Sequence, residues 1–226
     1  MAAVAAARYL RTPKERTDMF TVYTFGDSIL DCGRYNPYNI HPAQLIVHNN
    51  DTHFPEFKGQ DLSSRFPATY EHRAVDGATV DDLPSQTRGL TVDGPAVALL
   101  TIGGNDLIRG LSADTGPAVE AFEQKLDRFL QSLPIRPVLL GTVYDPTFGD
   151  DRQNFLSTPA GIARRNHKRV NTVITQLGER YGGTVDLHAH FLSGDPSWFT
   201  SVIEPSLTGA SEVRRAFLHA ILASGS

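Results

Sequence analysis

Apolar residues run through this chain in two rhythms. Short unbroken blocks, Met19–Phe25, Ala96–Ile102 and Pro137–Val143, each stop at a cluster of glycine and polar residues. Apolar blocks of that length suit strands of a parallel sheet buried on both faces. Two shorter runs, His72–Val75 and Thr184–Leu187, are read the same way. Between the blocks the period lengthens. Val119, Phe122, Leu126, Phe129, Leu130 and Leu133 recur at helical spacing across Gly116–Leu133, with Glu120, Glu123, Lys125, Asp127 and Arg128 among them. That is an amphipathic helix lying on a sheet. Ala160–Tyr181 repeats the pattern with Ile162, Val170, Val173, Ile174 and Leu177, and its Arg164, Arg165, Lys168 and Arg169 are assigned to the solvated face. Another helix starts near Val80 and Leu83, where Asp81 and Asp82 suit the positive end of the dipole. The last covers Gly209–Leu222. Alternating strands and helices predict an α/β protein, a three-layer α/β/α sandwich with about five parallel strands.

The pattern is lost over Asp31–Ala68, where Asn36-Pro37, His41-Pro42, Asn49-Asn50-Asp51 and Phe54-Pro55 interrupt any period. This segment reads as a long connection that forms a lid or binding wall. His41, His48, Asp51, His53 and Glu56 fall within it, but their spacing matches no recognised metal-ligand pattern.

Composition narrows the class. The 226 residues support one domain, 19–226, after an N-terminal tail over Met1–Asp18. A formal charge of −4 leaves no basic excess to recruit nucleic acid or an anionic membrane, so the expected partner is a small molecule. Arg8 and Arg11 interrupt the alanine-rich start before signal-peptide length, and no long apolar span follows; the expected location is cytoplasmic. Cys32 is the single cysteine, which excludes an intramolecular disulfide or a cysteine-rich zinc site.

In parallel sheets, ligands bind beyond the carboxyl ends of the strands. Ser28, Gly77, Asn105, Asp145, His188 and His190 all follow predicted strands and become neighbours there. Gly26-Asp27-Ser28 favours a turn for ordinary steric reasons, yet it also presents a hydroxyl at a sheet edge. A serine nucleophile needs a base and donors for the oxyanion. The backbone N–H groups of Ser28 and Gly77 and the Asn105 amide are the candidate donors. Asp27, Asp106, Asp145 and His188 are candidate substrate-binding groups on the same edge.

Gly26-Asp27-Ser28, the Gly77 turn and Gly103-Gly104-Asn105-Asp106, in that order, resemble the SGNH hydrolases, also called GDSL esterases and lipases. The resemblance extends from Thr21 onward. It implies a flavodoxin-like sandwich and serine-dependent hydrolysis of a carboxylic ester of a small molecule, lipid or acylated sugar, with no metal or organic cofactor. The family's last block, an aspartate and a histidine three residues apart, corresponds here to Ser201-Val202-Ile203-Glu204. Glu204 therefore stands where the histidine is expected. Three readings of the base follow: Glu204 itself, with burial raising its proton affinity; His190 or His188 as a substitute imidazole oriented by Glu204; or a catalytically impaired binding protein. A metal-dependent phosphoesterase is a further alternative, although the Asp-x-His and Asn-His pairs it needs are missing from the corresponding positions.

Overall fold

The computed structural model describes residues 18–223. Its centre is a sheet of five parallel strands, β1 (Phe20–Gly26), β2 (Ala68–His72), β3 (Ala96–Thr101), β4 (Val138–Gly141) and β5 (Gly182–Val185), in the order β2-β1-β3-β4-β5. Gly26 pairs with Thr101, Thr101 with Gly141 and Gly141 with Val185, so four strands finish on one line. Everything that follows those residues emerges at one edge.

Among the described residues seven α-helices pack around the sheet: α1 (Pro42–Val47), α2 (Leu83–Gln86), α3 (Gly104–Ile108), α4 (Ala118–Ser132), α5 (Ala160–Tyr181), α6 (Leu187–Leu192) and α7 (Leu207–Ala223). Strand side chains alternate between faces. Phe25, Ala98, Leu100 and Leu140 meet Phe122 and Leu126 of α4 and Val170 and Ile174 of α5. Val22, Val97, Leu99 and Leu139 meet Ile46 of α1, Phe191 of α6, and Val213 and Phe217 of α7. The predicted three-layer α/β/α sandwich is therefore the architecture observed.

Several boundaries differ from the sequence reading, each for a physical reason. The second strand is Ala68–His72 rather than His72–Val75; as an edge strand it is only half-buried, and its Thr-Tyr-Glu-His composition carries no apolar signature. Asp31–Ala68 is not wholly irregular, because Pro42 opens a helix instead of breaking one. Proline fits the first helical turn, where its missing N–H is not needed, and Ala43, Leu45, Ile46 and Val47 behind it are buried. The fifth strand ends at Val185, and Leu187–Leu192 is helical, capped by the Asp186 carboxylate on the Ala189 N–H. A short antiparallel hairpin that the apolar pattern does not signal, β6 (Phe199–Thr200) with β7 (Glu204–Pro205), precedes α7. The N-terminal tail lies outside the described residues apart from Asp18. Among the described residues no helix is long and apolar enough to cross a membrane.

Candidate active site

The turn after β1 is built around one glycine. Gly26 has φ +111°, and a Cβ there would stand 1.7 Å from the Thr101 carbonyl oxygen, so no other residue fits. The Gln86 amide clamps it, accepting from its N–H at 2.7 Å and donating to its carbonyl at 2.8 Å. Asp27, buried behind the turn, accepts from the Thr101 hydroxyl at 2.8 Å and the Ile29 N–H at 3.2 Å. Burial outweighs those bonds and pushes its carboxyl up to about 7. Ser28 is thereby presented, 7% exposed, at the mouth of a cleft.

The cleft has a volume of about 110 Å³. Ser28 and Asn105 stand on its wall with Ile29, Leu107, Ile108, Val143, Leu156 and Ile203, and the lining is predominantly apolar. Asn105 enters from the start of α3, directly after β3. Its Nδ2 donates to the Ala78 carbonyl at 3.0 Å, which fixes the amide while leaving a second N–H for another acceptor. Gly77 sits in the turn beyond β2 at φ +79°, and its carbonyl accepts from Arg109. Among the described residues the N–H groups of Ser28 and Gly77 carry no hydrogen bond.

Glu204 approaches from β7. It is 8% exposed, and its Oε2 is buried without a hydrogen-bond partner. Burial raises its proton affinity and the negative charge of Asp76 adds to that; the Ser28 hydroxyl, the Arg34 cation and the Tyr35 hydroxyl act in the opposite sense, and the net shift is upward. A small network surrounds it: Tyr35 donates to Asp76 at 2.9 Å, Arg34 donates to the Tyr35 oxygen at 2.8 Å, and Arg34 pairs with Asp76 at 2.7 Å. The hairpin that carries Glu204 is held by Tyr144, whose hydroxyl donates to the Ile203 carbonyl at 2.7 Å.

The two histidines after β5 do not form the expected unit with Ser28 and Glu204. The sequence places them at a strand end, where residues two apart share a side, but residues two apart on a helix point in different directions. His190 Nε2 pairs with Glu212 Oε2 of α7 at 3.0 Å, and its ring lies 5.2 Å from that of Trp198. Among the described residues no hydrogen bond joins it to Ser28. His188 packs its ring against His167 at 5.0 Å, and its N–H donates to the Thr142 hydroxyl.

Asp145 lines the cleft, but it is engaged by the Thr147 N–H and hydroxyl, the Gly149 N–H and Arg164. Burial alone would raise its carboxyl; those bonds outweigh burial and hold it below the ordinary value. Asp106 accepts from the Val80 N–H, and burial pushes it up to about 6.

Sequence reasoning missed His167, which lines the cleft and pairs through Nε2 with the Val143 carbonyl at 2.8 Å. It sits inside the basic run assigned to a solvated face. That face is only partly solvated: Arg165 and Lys168 are exposed, whereas Arg164 pairs with Asp145 and Asp151, and Arg169 with Asp114 and Glu120. Tyr35, in the connection after Ser28, carries no sequence signal of its own; its hydroxyl contact with Asp76 needs the folded loop.

Comparisons with known proteins bear on the family and the fold. Residues 24–210 match the model of the GDSL-like lipase/acylhydrolase family. No curated protein sequence matches. Among solved structures, the acetylxylan esterase Axe2 from Geobacillus stearothermophilus superposes with a TM-score of 0.64 at 19% identity, over 93% of this chain and 96% of that one. A lipase/acylhydrolase from Enterococcus faecalis gives 0.65 at 17% identity, over 91% and 96%. LAE5, an alpha/beta hydrolase enzyme from the metagenome of Lake Arreo, gives 0.60 at 23% identity, over 93% and 97%. These structures share the fold, and the family match, covering most of the sequence, carries the assignment: the chain belongs to the GDSL-like lipase/acylhydrolase family and is an esterase-class hydrolase.

Proposed function

We propose that the chain hydrolyses carboxylic esters through an acyl-serine intermediate on Ser28, with Glu204 as the base. The observation that carries this reading is the buried Glu204 carboxylate, whose Oε2 has no hydrogen-bond partner and whose proton affinity the neighbouring Ser28 hydroxyl lowers by hydrogen bonding. In the first step Glu204 takes the Ser28 proton as Oγ bonds to the ester carbonyl carbon. The resulting oxyanion is held by the Ser28 and Gly77 N–H groups and the second N–H of Asn105. Collapse breaks the bond to the alcohol, which leaves with the proton from Glu204. Water then gives a proton to Glu204, attacks the acyl carbon and releases the acid, and Ser28 regains its proton.

The apolar wall around Ser28 favours the acyl part of the substrate over a charged group. Nitrophenyl esters of acetate, butyrate and octanoate therefore test the reading. The parent should turn over at least one of them and Ser28→Ala should not. Equal rates in the two proteins, or no turnover of any ester by the parent, would remove serine-dependent hydrolysis and leave a binding role for the cleft.

A further inference from the structure

Outside the cleft lining, one group of side chains among the described residues converges as metal ligands do: Asp31, His41 and His72. They come from three separate places. Asp31 follows the Ser28 turn, His41 caps the start of α1, and His72 ends β2. Asp31 Oδ1 stands 3.1 Å from His72 Nε2 and 3.5 Å from His41 Nδ1. Zinc takes imidazole nitrogen and carboxylate oxygen at roughly 2.0–2.2 Å, so two ligand atoms of a tetrahedral site lie about 3.3 Å apart. The observed pair of distances straddles that value. The remaining pair, between the two imidazoles, lies within 4.8 Å and closes by a small rotation of two partly exposed rings.

The surroundings orient these groups as an outer shell orients ligands. His72 Nδ1 pairs with the Thr24 hydroxyl at 2.9 Å, which leaves Nε2 facing Asp31. Asp31 Oδ2 accepts from the Asp76 N–H at 2.8 Å, which leaves Oδ1 facing both histidines. Gly33 makes room for the His41 ring, because a Cβ there would stand 2.5 Å from Nε2. The side chains of Asp31, His41 and His72 are 27%, 16% and 24% exposed, so a fourth position opens toward solvent.

We propose that Asp31, His41 and His72 bind one divalent transition-metal ion of the zinc class, with water in the fourth position. Two imidazoles and one carboxylate form the nitrogen-and-oxygen donor set that suits such ions. Metal on His41 Nδ1 replaces the 3.3 Å bond that atom accepts from the Gly33 N–H. The ion would tie the segment after Ser28 to the start of α1 and the end of β2. Through Asp31 Oδ2 and Asp76 it would also brace the turn that carries Gly77. The set His41, His48, Asp51, His53 and Glu56 contributes only His41; Asp31 opens the same connection but lies outside the set, and His72 ends β2.

The full chain, stripped with chelator and dialysed, is titrated with zinc and, in parallel, with cobalt(II). One equivalent of zinc should bind at micromolar concentration, with the melting temperature rising as zinc is added. Cobalt should produce the visible absorption bands of a four-coordinate ion, a signature that needs no variant. Asp31→Asn, His41→Ala and His72→Ala should each weaken zinc binding at least tenfold, and His53→Ala should leave it unchanged. The proposal is overturned if the parent binds no zinc, if cobalt gives only the six-coordinate spectrum, or if the His41→Ala/His72→Ala double variant binds as the parent does. Ester turnover is not a readout, so this outcome is independent of the Ser28 reading.

Discussion

A carboxylate is a weak base for an alcohol unless its surroundings raise its proton affinity, and Glu204 has such surroundings. Burial is the largest contribution and Asp76 adds to it, against the Ser28 hydrogen bond, Arg34 and Tyr35. The base is the deprotonated form, so kcat/KM should rise with pH through a limb that lies above the ordinary carboxylate range. Glu204→Gln, nearly isosteric, should lower kcat by about 10²–10⁴ and abolish that limb without unfolding the chain. Arg34→Ala removes a cation that lowers Glu204, so it should move the limb to higher pH. A parent profile that is flat through the acid range would argue against Glu204 as base. At this scale the sequence pointed to Ser28, Asn105 and Glu204 as candidates, because each sits at a strand end or in a motif register, and the fold brings Ser28 and Asn105 to one cleft. It did not disclose His167, hidden within a basic helix face, and it misplaced His190, because a four-residue Leu-His-Ala-His run does not tell a strand end from a short helix.

The element that delivers Glu204 is the hairpin of β6 and β7, and its turn is strained. Ser201 and Val202 have φ +47° and +75°, a region that β-branched residues rarely enter. Val202 is 67% exposed, so no packing compensates for the conformation. Strain of this kind persists where neighbouring structure fixes the backbone, here the Tyr144 bond to Ile203 and the close contact of Gly209 with Trp198. A Cβ on Gly209 would lie 2.0 Å from the Trp198 carbonyl oxygen. Asparagine tolerates the left-handed region better. Val202→Asn should therefore raise stability by about 0.5–1 kcal/mol, roughly 2–4 °C in melting temperature for each kcal/mol; a fall in melting temperature would contradict the argument. The long apolar strands and the α4 and α5 helices were legible because both faces or one clear stripe are buried. β2, α1 and the hairpin were not: an exposed edge, a proline start and a two-residue strand pair leave no periodic trace.

At the scale of the molecule, the described residues form two apolar layers on either side of the sheet and a third, smaller cluster outside them. Ile40, Leu45, Phe54 and Phe57 form that cluster from the loop that follows Ser28. It is joined to α7 by a cation, since Arg214 is fully buried and lies 3.4 Å from the Phe57 ring centroid and 5.1 Å from that of Phe54. Its guanidinium donates to Asn49 Oδ1 at 2.9 Å and to the Ser211 carbonyl and hydroxyl, and among the described residues no carboxylate forms an ion pair with it. Burial, with the neighbouring charge of Arg215, lowers it to about 10, while the carboxylates of Glu56, Glu212 and Asp61 act in the opposite sense. Two contributions then oppose each other: the side chain fills space and faces two aromatic rings, while its charge is costly to desolvate. Arg214→Ala loses the packing and should cost about 3 kcal/mol. Arg214→Met keeps most of the volume and removes the charge, so it should cost no more than about 1.5 kcal/mol. Urea unfolding of the three proteins decides between the terms. If alanine and methionine cost the same, the hydrogen bonds to Asn49 and Ser211, rather than packing on Phe57, hold the loop against α7.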